Sequence, residues 1–140
     1  MSVVAPKGFR AIGVTAGIKK DARDLALVVC DTDAVAAGVF TRNQAAAASV
    51  ALSRAHVADG SARAIVANSG CANAATGPRG TADALAMAQA VAAAIGSAPD
   101  AVLVCSTGTI GPYLPMDRVT KGIRLAAGAL GSGPSDGTSA

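Results

Sequence analysis

The stretch Ala62–Cys105 reads ARAIVANSGCANAATGPRGTADALAMAQAVAAAIGSAPDAVLVC. Two short apolar runs rich in β-branched residues, Ala62–Asn68 and Ala101–Cys105, stand at its ends and read as strands. Between them Gly80–Gly96 is Ala-rich, and Ala has the highest helix propensity of any residue. Thr81 supplies an N-cap hydroxyl, Asp83 complements the positive end of the helix dipole, and Gly96 suits the left-handed residue that closes a helix. Leu85, Ala88, Val91 with Ala92, and Ile95 fall on one stripe, which predicts a face turned toward a sheet. Strand, helix and strand in this order make the chain α/β.

Further elements extend outward from this unit. Asp24–Cys30 (DLALVVC) is apolar at both alternating positions, the pattern of a strand covered on two sides. Asp31–Asp33 has turn chemistry, so Ala36–Asn43 is expected to return as the second arm of a hairpin. Ser49–Arg54 reads as a further strand. Downstream, Pro115–Leu130 reads as a second helix with Pro115 in its first turn and Met116, Val119, Ile123 and Leu130 on its buried side. Residues 1–130 thus form one domain, with strands in front and helices behind. Residues 131–140 (GSGPSDGTSA) lack any bulky apolar group and read as a flexible tail.

Bulk properties exclude several classes. With 51% hydrophobic and 15% charged residues the chain is globular, not disordered. Its net charge of +3 is spread without a stripe, and 2% aromatic residues leave little for stacking on bases, so no nucleic acid is expected as partner. No segment is long and apolar enough for a membrane span, and no basic-then-apolar leader opens the sequence. Cys30, Cys71 and Cys105 form an odd set without a CxxC pair, which fits a reducing cytoplasm and free structural thiols. With one histidine and scattered Asp, a metal site is not supported. Neither GxGxxG nor a P-loop pattern occurs.

Two polar clusters follow apolar strands: NSGCANAATG (Asn68–Gly77) and CSTGTIG (Cys105–Gly111). Where a strand gives way to a helix, free N–H groups can hold an anion or a developing oxyanion, and Gly lets the backbone come close. Thr107-Gly108 therefore suits an oxyanion hole, although a structural turn would use the same residues. Cys105 as a nucleophile would need His56, the one histidine, as its base; a structural thiol needs no partner. A Ser triad on Ser69 or Ser106 meets the same obstacle. Asn68 and Asn73 suit either substrate contacts or local backbone satisfaction. Arg10, Lys19 and Lys20 suit carboxylates or simple solvation.

Five blocks in register carry a family resemblance: APKGFRAIGVTAGIK (Ala5–Lys19), DLALV (Asp24–Val28), AAGVFTRNQ (Ala36–Gln44), NSGCANAATG and CSTGTIGPYLPM. Over Ala5 to about Leu130 the chain resembles the N-terminal, α-chain part of the ornithine acetyltransferase family, also called the bifunctional glutamate N-acetyltransferase of arginine biosynthesis. The resemblance implies a four-layer α/β/β/α sandwich and a precursor that cuts itself before an internal Thr. That new N-terminal Thr takes acetyl from N-acetylornithine and passes it to glutamate; some members also accept acetyl-CoA as donor, and no other cofactor is implied. It implies association with the β chain of the same precursor as an (αβ)2 heterotetramer. The family's oxyanion pair falls on Thr107 and Gly108. Its cleavage segment and nucleophile find no match within residues 1–140, so no nucleophile and no substrate-binding residue carries over, and the chain alone is expected to be inactive. Other readings are a truncated, non-catalytic module that binds amino acids or anions, and a hydrolase built on Cys105.

Overall fold

A computed structural model describes residues 3–131. Residues 132–140, most of the expected tail, lie outside the described residues, and Gly131 ends a helix. The elements in chain order are β1 (Phe9–Val14), β2 (Leu25–Val35), α1 (Ala48–His56), β3 (Ser61–Cys71), α2 (Gly77–Ile95), β4 (Val102–Thr109) and α3 (Met116–Gly131). The strands form one sheet in the order β1-β2-β3-β4. The first two pairings are antiparallel, while β3 and β4 are parallel and joined through α2. The strand–helix–strand reading of Ala62–Cys105 therefore holds, and it is the parallel crossover of the fold.

The core lies on one face of this sheet. Leu25, Leu27 and Val29 of β2, Ala64 and Val66 of β3, and Val102 and Val104 of β4 meet Met87, Ala88, Val91 and Ala92 of α2. Val119, Ile123, Ala126 and Leu130 of α3 close the same core. The opposite face carries Val28, Ala67 and Leu103 half-buried and Ile65 at 41% exposure, with no element of the described residues packed over them. An alternating residue on a strand points to one face or the other. The expectation that Asp24–Cys30 is covered on both sides is thus met on one side only.

Several boundaries differ from the sequence reading. Helix α2 begins at Gly77, because Pro78 in the first turn starts it earlier than Thr81 would. Its buried stripe is Ala84, Met87, Ala88, Val91 and Ala92, so Leu85 is exposed and Ile95 only packs at the margin. Helix α3 follows the expectation, with Val119, Ile123 and Leu130 buried and Met116 partly so. Gly96 closes α2 in the left-handed conformation, with φ 70°.

No hairpin forms at Asp31–Asp33. Strand β2 runs through it to Val35, with a register shift between Val29 and Ala34. The carboxylates are met by neighbouring strands instead: Arg10 pairs with Asp31 at 2.8 Å and Arg63 approaches Asp33 at 3.8 Å. Ala36–Asn43 is consequently not a strand. Both edges of β2 are already taken by β1 and β3, so a returning arm has no ladder to join. That segment is tied down by Arg54, which donates to the Thr41 carbonyl at 2.8 Å and lies over the Phe40 ring. Ser49–Arg54 is helix, not strand. Strand β1 was not among the expected elements; its Ile12 and Val14 pack against the core beside Leu27 and Leu25.

Candidate functional site

The two polar clusters lie side by side. The parallel register pairs Asn68 with Ser106, Ser69 with Thr107, Gly70 with Gly108 and Cys71 with Thr109. Their first parts, Asn68–Cys71 and Cys105–Thr109, belong to β3 and β4 and are not corners after them, because the ladder continues through these polar residues. Alternation sends Asn68 and Ser106 toward the helices, like Val66 and Val104, and Ser69 and Thr107 toward the open face. On that face three small residues, Gly13, Ala26 and Ala67, line up across β1, β2 and β3. With Ser69 and Thr107 they border a shallow depression of about 210 Å³.

Gly108 has φ 129° and Gly70 φ 115°, conformations that favour glycine. A Cβ added to Gly108 would stand 2.6 Å from the Cys71 nitrogen and 2.7 Å from the Gly70 Cα. Two glycines facing each other therefore let these strand ends lie closer than any side chain would allow. Thr107, Gly108 and Thr109 are all exposed.

Strand β4 is an edge strand, and α1 shows how that edge is used. The Ser53 hydroxyl donates to the Val104 carbonyl at 2.7 Å and accepts from the Val104 N–H at 2.8 Å. His56 Nδ1 meets the Val102 carbonyl at 2.8 Å. The peptide groups of Val102 and Val104 thus face away from β3, while the Thr109 carbonyl faces the other way, accepting from Ala72 N–H. Strand alternation then turns the Gly108 N–H to the free edge, beyond the two anchors on α1. Ser49, Ser53 and His56 repeat at helical spacing, which is why a segment that alternates like a strand is a helix with a buried polar stripe.

The remaining candidates are placed as follows. Asn68 donates to the Cys71 carbonyl at 2.9 Å and shapes the turn after Gly70, while its Oδ1, like Ser106 Oγ, is buried without a partner. Asn73, at φ 51°, donates to the Gly80 carbonyl and accepts from the Thr76 hydroxyl. Both asparagines thus serve backbone and local contacts. Arg10 is used by Asp31 and the Leu130 carbonyl, and Lys19 and Lys20 are exposed. Cys30 and Cys71 are buried free thiols, but Cys105 is exposed on the open face, against the expectation of a buried residue. Its neighbours still push the thiol above its ordinary pKa by desolvation. His56 is anchored at Val102, three residues and roughly 10 Å along the strand from Cys105. The Cys105 hydrolase reading therefore fails on geometry. Among the described residues no cluster of three metal-ligating side chains occurs, and no helix is long and apolar enough to cross a membrane.

Sequence reasoning missed Asp24. It is 2% exposed, and its carboxylate accepts the Ala16 N–H at 2.6 Å and the Lys19 N–H at 2.8 Å. Burial works against its charge, but the N–H groups of Lys19, Ala16, Ile18 and Gly17 outweigh that cost and hold the carboxyl below its usual range. An Asp directly before an apolar strand, a few residues after Thr15-Ala16-Gly17, was the available signal.

The comparison with known proteins bears on this arrangement. Residues 10–140 match the ArgJ family. The chain belongs to the ArgJ family. An arginine biosynthesis bifunctional protein ArgJ from Bifidobacterium longum is 50% identical over all of this chain, which covers 37% of that protein. One from Thermobifida fusca is 51% identical over 90% of the chain and 33% of its own length. The chain thus spans about a third of the length of these curated relatives. Among solved structures, ornithine acetyltransferase of Mycobacterium tuberculosis complexed with ornithine superposes with a TM-score of 0.94 at 48% identity, over 99% of this chain and 76% of that one. The ArgJ protein of Bacillus halodurans gives 0.87 at 40% identity, over 91% of this chain and 69% of that one. The α/β fold and the family are therefore those that the five sequence blocks implied.

Proposed function

We propose that this ArgJ-family chain is the N-terminal portion of a glutamate N-acetyltransferase, and that it supplies the oxyanion hole to a nucleophile on polypeptide outside residues 1–140. The observation that carries this reading is the strand end at Thr107-Gly108: two exposed residues on an edge strand, with Thr107 at the rim of the depression and Gly108 at φ 129°. When a Thr hydroxyl attacks an N-acetyl group, the carbonyl oxygen gains negative charge. A hydroxyl and an N–H fixed about 3 Å from that oxygen lower the barrier, each by roughly 3 kcal/mol. The attacking Thr would be N-terminal, so its own amine takes the hydroxyl proton and returns it to the departing ornithine amine. Glutamate's amine then attacks the acetyl ester and regenerates the hydroxyl. Acetyl-CoA is an alternative acetyl donor under the same scheme, and no metal enters it.

The open sheet face supports the second half of the proposal. Val28, Ile65 and Leu103 form an apolar surface there, of a kind that ordinarily meets another sheet. A β chain seated on it would complete the α/β/β/α sandwich, bring the nucleophile to the exposed Thr107-Gly108 end of β4, and pair into an (αβ)2 assembly. The test is acetyl transfer from N-acetylornithine to glutamate, measured with the chain alone and with a β-chain portion bound to it. Turnover is expected only with the partner, and Thr107→Ala is expected to lower kcat on the order of a hundredfold with little change in KM. Unchanged kcat in Thr107→Ala, or no turnover with a bound and folded partner, would refute the reading. Binding of ornithine or glutamate without turnover would favour the non-catalytic module instead.

A further inference from the structure

Strands β1 and β2 are antiparallel neighbours, yet the chain between them is a long loop, residues 15–24, and not a tight turn. The loop is built around a single buried anion. Both Asp24 carboxylate oxygens are occupied by loop amides, Oδ1 by Ala16 N–H and Oδ2 by Lys19 N–H. The Asp24 main chain extends the sheet at this end: its N–H donates to the Val14 carbonyl at 3.1 Å, and its carbonyl accepts from Ser69 N–H at 2.8 Å. Ser69 is the register partner of Thr107.

The folded loop then leans on the neighbouring strand end. A Cβ on Gly70 would stand 2.7 Å from Lys19 Cγ and 3.0 Å from Ile18 Cγ2, so these two side chains cover Gly70 directly. Gly70 in turn is the residue against which Gly108 packs backbone to backbone. On its far side the loop is braced by α3: Arg118 donates to the Gly17 carbonyl at 2.6 Å, and Ala16 sits against Gly122, where a Cβ would be 2.6 Å from Ala16 Cβ. The loop is therefore a wedge between α3 and the Gly70–Gly108 contact, and the Asp24 carboxylate holds the wedge in shape.

We propose that Asp24 is a positioning residue for the Thr107-Gly108 donor pair, acting through Ile18, Lys19 and Gly70. Its carboxylate is buried and both oxygens are taken up by loop amides. An oxyanion donor must be held within a few tenths of an ångström of its working place, because preorganisation is what makes it effective. At Gly70 and Gly108 only the ladder holds the two strands, and the Ile18 and Lys19 side chains press on Gly70 from the other side. This inference rests on the oxyanion reading given above.

The test follows backbone amide signals and hydrogen exchange at Gly70, Thr107 and Gly108 in the chain as it stands. Asp24→Asn keeps the size of the side chain but loses the second acceptor oxygen. It is expected to shift those three signals and to speed exchange about tenfold at the ladder amides of Gly70 and Thr107, while the Phe9–Cys30 end of the β1–β2 ladder keeps its rates. Ile18→Ala leaves the carboxylate's hydrogen bonds intact and removes a contact on Gly70; it is expected to move the same three signals less. It decides the matter if Asp24→Asn does not fold. In the chain assembled with its β portion, either variant is expected to lower kcat on the order of tenfold with KM held within about twofold, and Asp24→Glu is expected to recover part of the loss. Slower turnover in Thr107→Ala with unmoved Gly108 signals in the loop variants would overturn the positioning role and leave the oxyanion reading standing. Moved Gly108 signals with normal turnover in Thr107→Ala would overturn the oxyanion reading, and the catalytic role of Asp24 with it. A uniform change across all strands would make Asp24 a plain structural anchor and refute the proposal.

Discussion

Replacing Gly108 by Ala adds one methyl group that points into the backbone of β3. The new carbon would meet the Cys71 nitrogen at 2.6 Å and the Gly70 Cα at 2.7 Å, and these are backbone atoms that no rotamer change can remove. Ordinary van der Waals contact begins near 3.4 Å, so the strand ends must part by about 1 Å. That movement stretches an N–H to O distance from roughly 2.9 Å to nearly 4 Å, beyond any useful hydrogen bond. Two rungs at about 1 kcal/mol each are lost, and the positive φ adds about 1–3 kcal/mol of backbone strain. With the strain retained the total is about 3–5 kcal/mol; letting Thr107–Thr109 relax away from Ser69–Cys71 releases most of the strain and limits it to about 2–3 kcal/mol. Urea unfolding of the two proteins measures the total, and amide exchange shows where it falls. Loss of protection is expected at the amides that cross between the two strand ends, Gly70, Ala72 and Thr107, with Val66 and Val104 retained. Gly70→Ala should cost less, since its methyl meets the flexible Lys19 and Ile18 side chains. A Gly108→Ala protein within about 0.5 kcal/mol of the original, with unaltered exchange, would refute the close-approach argument.

The remaining predictions test the supports of the site. Ser53→Ala leaves the Val104 N–H and carbonyl without their partner in a buried edge and is expected to cost about 2–4 kcal/mol in urea unfolding; a loss under about 1 kcal/mol would mean that water replaces the hydroxyl. Because the folded pKa of Asp24 is depressed, its contribution to stability is present above the ordinary carboxylate pKa of 3.8 and is lost as pH falls through the lowered value. Acid titration of unfolding should therefore show a destabilising limb below pH 3.8 that is reduced in Asp24→Asn; an identical limb in both would contradict the assignment. Desolvation keeps the Cys105 thiol protonated, so iodoacetamide should modify it more slowly than a free cysteine at neutral pH. Faster modification would reopen the question of a reactive thiol.

The amino-acid sequence by itself determined the α/β class, the parallel unit built on Ala62–Cys105, the helix ending at Gly96 and the family. These follow from local propensity, capping and periodicity, which act over a few residues, and from five blocks whose order needs no structure. It also singled out Thr107-Gly108, since Gly among hydroxyl residues at the end of an apolar run is a local signal. Tertiary structure alone decided the rest. Ser49–Arg54 became a helix because Ser53 is used by the edge of β4, a partner more than 50 residues away at Val104. Ala36–Asn43 lost its strand because β1 and β3 had taken both sides of β2. The alignment of NSGC with STGT, and the support of both by Asp24, depend on register between distant segments, and register is set by the packing of a whole sheet and not by any one stretch of residues.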